Sequence, residues 1–98
     1  MDDPDAAAPV GPVLEASDTG RALAALIAER HADTRVIDHG AYLRVQVPGC
    51  CRLTREAIEQ RLGRSFVLPQ DLEAVMPSFA GRFRVDEREA VWATGPRA

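Results

Sequence analysis

The hydrophobic residues change period at Thr34, and no single secondary structure can serve both sides of that change. Before it, Leu23, Leu26, Ile27 and Arg30 fall at helical spacing behind the N-cap chemistry of Ser17-Asp18, which predicts a helix over residues 18–31. After it, Ala41, Leu43, Val45 and Val47 alternate with Tyr42, Arg44 and Gln46, the pattern of a strand with one buried face. Gly40 stands where the chain must reverse after Val36-Ile37, so residues 34–47 read as a β-hairpin that Pro48-Gly49 ends. A short strand over residues 10–15 precedes the helix.

The same succession of helix and hairpin then returns. Thr54 has the chemistry to cap a second helix, Leu53 and Ile58 are placed as the two halves of a hydrophobic staple, and Gly63 follows the last apolar residue. The inward face of this helix reads as Ile58 with Leu62. Pro69 opens a short third helix carrying Leu72, Val75 and Met76, which Pro77 limits. Phe83 and Val85 alternate with Arg82 and Arg84, and residues 90–94 return antiparallel across Asp86-Glu87-Arg88-Glu89. The predicted class is α+β, a single small domain in the order β-α-ββ-α-α-ββ, with antiparallel hairpins packed on helices. Residues 1–9 read as a flexible arm, 10–94 as the folded domain and 95–98 as a tail. The stretches from Arg35-Val36 to Tyr42 and from Arg84-Val85 to Val91 share a pattern that internal duplication and chance both explain.

Composition narrows the function. A chain of 98 residues buries only ~60 to 65% of its unfolded surface, enough for one modest core and a poor host for a deep enzyme pocket. All 12 basic residues are Arg, which suits the codon bias of a GC-rich bacterial genome better than a binding chemistry. Net charge is -3 and the isoelectric point about 5.3, so a phosphate-binding footprint is disfavoured and nucleic acid is not an expected partner. The first nine residues lack both the positive start and the apolar core of a signal peptide, and no apolar run approaches the ~18 residues of a membrane span. A cytoplasmic home without membrane contact is expected.

No catalytic constellation stands out. His31 and His39 lack zinc-type neighbours, the Glu-x-x-His pattern of di-iron carboxylate helices is absent, and adjacent Cys50 and Cys51 cannot supply spaced ligands or a useful disulfide. Cys51 beside Arg52 has the makings of a nucleophile but lacks a positioned base, so the pair reads as residues at a loop edge. Glu56, Glu59, Asp71 and Glu73 read as solvated helix faces. Gly63 reads as a left-handed C-cap, Gly81 as a strand bulge or a point of close backbone approach, and Phe79 as a core residue before a contact residue. Expected are no catalytic residues, no metal and no cofactor.

The succession Leu53-Thr54-Arg55, Leu62-Gly63-Arg64 with Phe66, and Ser78-Phe79-Ala80-Gly81, within a match from about Val10-Gly11-Pro12 to Trp92, resembles the coupling (effector) proteins of bacterial soluble di-iron monooxygenases, the MmoB/DmpM family. The resemblance implies a cofactor-free regulator that binds the di-iron hydroxylase, reshapes its active site and couples NADH and O2 use to hydroxylation or epoxidation. It is nearest to effectors of four-component toluene and alkene monooxygenases, and leaves room for competition with a ferredoxin or reductase. Matched by position, Thr54, Arg55, Arg64, Phe79, Ala80 and Gly81 are the implied hydroxylase-binding residues, with Gly63 sharing the pattern. Arg55 reads as a side chain facing away from Ile58 and Leu62, open to a partner carboxylate. Where the family continues with Pro after Leu-Gly-Arg this chain has Ser65, and a Cys-Cys pair fills an expected polar loop. The alternative functions are a generic small protein- or ligand-binding α+β module and a small thiol enzyme using Cys51.

Overall fold

Two strand-helix-hairpin units of like topology build the structure, a computed structural model that describes residues 8–94. The first unit is β1 (Pro9–Glu15), α1 (Asp18–Arg30), β2 (Arg35–Asp38) and β3 (Tyr42–Pro48). The second begins with β4 (Cys50–Thr54) and α2 (Arg55–Leu62), and closes with β6 (Arg82–Val85) and β7 (Glu89–Ala93). Between α2 and β6 lies an added segment containing α3 (Gln70–Glu73) and β5 (Ser78–Ala80). The strands form two antiparallel sheets, ordered β2-β3-β1-β5 and β4-β7-β6. Each unit therefore places its last strand between its other two, and β5 leaves its own unit to extend the first sheet.

The expected α+β architecture is present, with two strands the sequence reading lacked. Cys50 and Cys51 do not line a loop: they open β4, where Cys51 and Leu53 are buried while Cys50 and Arg52 are exposed. Pro48-Gly49 is a corner at which the chain passes from one sheet to the other, since β3 ends at Pro48 and β4 begins at Cys50. β5 is the other addition. The predicted arm and tail lie outside the described residues for 1–7 and 95–98, and β1 begins at Pro9, one residue before its expected start.

Local chemistry sets the helix ends as expected. Ser17 Oγ accepts from the Gly20 N–H at 3.1 Å, and Thr54 Oγ1 accepts from the Ala57 N–H at 3.2 Å, each satisfying an otherwise orphaned donor. Gly63 takes φ +72 and its N–H returns to the Glu59 carbonyl, the left-handed C-cap read from the sequence. α1 and α2 lie together, tied at the surface by an Arg61–Glu29 ion pair. Their buried faces, Leu23, Leu26 and Ile27 from α1 with Ala57 and Ile58 from α2, share one core with Leu14, Val45, Leu53, Phe66, Leu72 and Trp92. Full burial of each such Leu or Ile contributes about 1.5–3 kcal/mol. Leu62 is only partly buried, so the inward face of α2 is Ala57 with Ile58. Among the described residues no helix is long and apolar enough to cross a membrane.

Candidate partner-binding surface

β5 is an edge strand, paired along one side with β1 through Gly11–Ala80, Pro12–Phe79 and Val13–Ser78. An edge position leaves Phe79 uncovered, and 44% of it is exposed. The expectation of a core Phe79 is thus corrected: its neighbours shield one face only. Its ring lies 5.0 Å from that of Phe83, which lies 5.2 Å from that of Trp92, so three rings run from solvent into the centre of the core. Trp92 is fully buried, and its Nε1–H meets no hydrogen-bond acceptor among the described residues.

Gly81 makes this edge possible. The chain turns there from β5 in one sheet to β6 in the other, with φ +102, and a Cβ would sit 2.6 Å from Val10 Cγ1 and 3.1 Å from the Ala93 carbonyl oxygen. Of the two sequence readings, close approach is the one observed, and the approaching groups belong to this chain. Shallow depressions flank the corner. One of about 140 Å³ is lined by Val13, Arg44, Ser78, Phe79 and Ala80 among others. Another of about 200 Å³ is lined by Arg82, Phe83, Arg84, Val91 and Ala93. Neither lining includes a carboxylate, although the chain as a whole is acidic.

The remaining residues implied by the resemblance lie elsewhere. Thr54 and Arg55 sit at the far end of the second sheet, where Thr54 pairs with Glu89, whereas Arg82 beside Gly81 pairs with Ala93. Along β7 the two ends, at Glu89 and Ala93, are ~13 Å apart at the rise of an extended strand. Arg55 is already engaged within the chain, its Nε donating to Glu59 Oε2 at 3.0 Å and its backbone N–H to the Arg88 carbonyl at 2.7 Å, while 38% of its side chain stays exposed. Facing direction alone did not reveal this pairing, because an (i, i+4) carboxylate lies on Arg55's own face. Glu59 Oε2 also accepts from the Phe66 N–H at 2.9 Å. That backbone bond, followed by the one from Arg55, holds the Glu59 carboxyl below its ordinary range. A wide bowl of about 750 Å³ here carries Arg52, Arg55 and Arg88 with Glu56, Glu59, Asp86, Glu87 and Glu89, so its carboxylates outnumber its guanidinium groups. Arg64 sits at a third place, its Nη2 donating to Thr19 Oγ1 at 3.0 Å beside the start of α1.

The residues considered for chemistry have structural roles. Burial, with Cys50 adding to it, pushes the Cys51 thiol up to about 12, so it stays protonated and unreactive at neutral pH. His31 Nδ1–H donates to the Ile27 carbonyl at 2.8 Å while Nε2 accepts from the Arg52 N–H at 3.0 Å, joining the end of α1 to β4. His39 stacks on Tyr42 with centroids 4.8 Å apart. Asp71 Oδ2 accepts from the Val67 N–H at 2.7 Å, so it fastens the loop before α3 and is more than a solvated charge. Among the described residues no three His, Cys, Asp or Glu side chains are grouped as metal ligands. Sequence reasoning missed the roles of Phe83, Trp92 and Glu59. The alternation that put Phe83 on the inner face was the available signal for the first of these.

The model of the MmoB/DmpM family matches residues 8–93. The effector subunit of the alkene monooxygenase system of Xanthobacter autotrophicus strain Py2 is 46% identical over 85 residues, a match covering 85% of this chain and 83% of that protein. A structure of a phenol hydroxylase–regulatory protein complex contains a similar chain, with TM-score 0.79 and 25% identity over 89% of this chain and 99% of that one. A second structure of such a complex gives TM-score 0.74 at 25% identity, covering 87% and 98%.

Proposed function

The chain belongs to the MmoB/DmpM family, and from that premise we propose that it is the effector protein of a bacterial multicomponent hydrocarbon monooxygenase, working on a di-iron hydroxylase in the cytoplasm. It is a regulatory component and not itself the enzyme. The observation that carries this reading is the 46% identity to an alkene monooxygenase effector subunit, with a family match spanning residues 8–93 and so every strand and helix. Structural likeness to chains from complexes of phenol hydroxylase with its regulatory protein supports the hydroxylase as the partner.

An effector without redox groups can act only through differential binding. If it favours one hydroxylase conformation, it shifts the population toward that conformation by the difference in affinity, and NADH and O2 consumption become tied to oxidation of the hydrocarbon. The docking surface is centred on Phe79, Ala80 and Gly81. A half-exposed aromatic ring held from behind by Phe83 has little freedom left to lose on binding, the condition under which an aromatic anchor contributes most. Arg44 and Arg84 on the surrounding rim suit a partner face with carboxylates.

The test is a coupling assay. Added near equimolar to its hydroxylase with reductase and NADH, the protein raises product formed per NADH consumed and oxidises nothing alone. Phe79→Ala weakens hydroxylase binding by about 1–3 kcal/mol at nearly unchanged thermal stability. Unchanged product per NADH with the wild-type protein rejects the effector reading; full affinity in Phe79→Ala moves the docking surface elsewhere.

A further inference from the structure

We propose that Glu59 is a positioning residue for hydroxylase docking: from α2 it clamps the segment that delivers β5, and so holds Phe79 in place before the partner arrives. This rests on the effector reading above. The segment between Gly63 and Pro77 has little ladder pairing of its own, and its order comes from a few fixed points. Phe66, Leu68, Leu72 and Met76 are buried in the core. At its start the Glu59 carboxylate accepts from the Phe66 N–H at 2.9 Å. At its end the Val75 carbonyl accepts from the Glu15 N–H at 2.8 Å, three residues before β5 begins.

Glu59 is itself aimed by Arg55, whose Nε donates to the same oxygen at 3.0 Å. The guanidinium expected to meet the partner instead orients the carboxylate that fastens the segment. The physical consequence is preorganisation: a docking strand ordered beforehand does not charge its ordering entropy against affinity. Glu59 lies on α2 and Phe79 on β5, so the one acts on the other through the segment between them.

The experiment compares Glu59→Ala, Glu59→Gln and Glu56→Ala, the last a change to an exposed residue of the same helix. Hydroxylase binding is measured by calorimetry and amide hydrogen exchange is followed across residues 64–80. Glu59→Ala weakens binding about tenfold and speeds exchange through the segment, because the released backbone must be ordered at docking. Glu59→Gln keeps an acceptor for the Phe66 N–H and stays within about twofold of wild type. Glu56→Ala leaves both readouts unchanged. Weaker binding of Glu59→Ala without faster exchange makes Glu59 a direct contact, and faster exchange at full affinity makes it merely structural; either overturns the proposal. Absence of binding by the wild-type protein instead rejects the effector reading, so the two failures are distinguishable.

Discussion

The two strand-helix-hairpin units share a topology and divide the work. In the first, residues 31–34 carry α1 directly into the hairpin; in the second, the segment from Gly63 to Gly81 intervenes and sends β5 to the other unit's sheet. The hairpins match closely. Their turns close with the His39 N–H on the Tyr42 carbonyl and the Asp86 N–H on the Glu89 carbonyl, and the third pair back from each turn is Val36–Val45 or Phe83–Trp92. Yet the first unit builds its core from many medium side chains, among them Val10, Leu14, Leu23, Ile27 and Val45, whereas the second sets one Trp where the first has Val. A repeated frame can thus carry an ordinary packed half and a half specialised to present an edge.

The sharpest test of that contrast is Trp92→Ala against Val45→Ala. Trp92→Ala should cost about 3–5 kcal/mol in a denaturant titration, and Val45→Ala only about 1.5–3 kcal/mol, because fewer buried atoms are removed. Equal costs would show that the second core is as distributed as the first.

A smaller effect separates the glycines of the two halves. Gly81→Ala should cost about 2–4 kcal/mol, since its positive φ is joined by a clash with Val10. Gly40→Ala, with φ +89 and nothing within 4 Å of its Cβ, should cost only the ~1–2 kcal/mol of an L-residue in a left-handed conformation.

The smallest expected effect concerns acid. Asp38 takes the Gly40 N–H, with Arg21 adding to it, and Asp86 takes the Arg88 and Glu89 N–H groups; both carboxyls are thereby held below 3.8. A depressed folded-state value means that each bond stabilises above 3.8 and is lost as pH falls through the folded value. Asp86→Asn should flatten the acid side of a plot of urea midpoint against pH, below about pH 5, and Asp38→Asn should do the same. A curve unaltered in one variant would break the equivalence of the two turns.

Much of this frame was legible in the sequence because its signals are local. The 3.6-residue spacing of α1, the alternation through Leu43, Val45 and Val47, and the Thr54 and Gly63 caps each act within a few residues. β4 was hidden because Pro48-Gly49 reads as the end of a hairpin, although the Cys51 and Leu53 alternation was already present. β5 carries no local signal, being three residues whose partner strand lies far back in the chain. The repeated topology was legible only in outline: the matching letters set Val85 beside Val36, while the structural register sets Val85 in the place of Asp38. Of the site residues, Phe79, Ala80 and Gly81 fall together. Thr54, Arg55 and Arg64 do not, since capping and ion pairing inside the chain employ the same groups that a partner would.

The pairing of Gly11 with Ala80 has one more consequence. It is among the longest-range contacts in the chain, and joining residues so far apart carries a loop-closure cost that local helices and hairpins escape. A chain that stops short of Ser78 has no β5 to set beside β1. On the proposed docking edge, completeness is thereby tied to recognition: a partner gripping it would sense both distant stretches of the polypeptide at once.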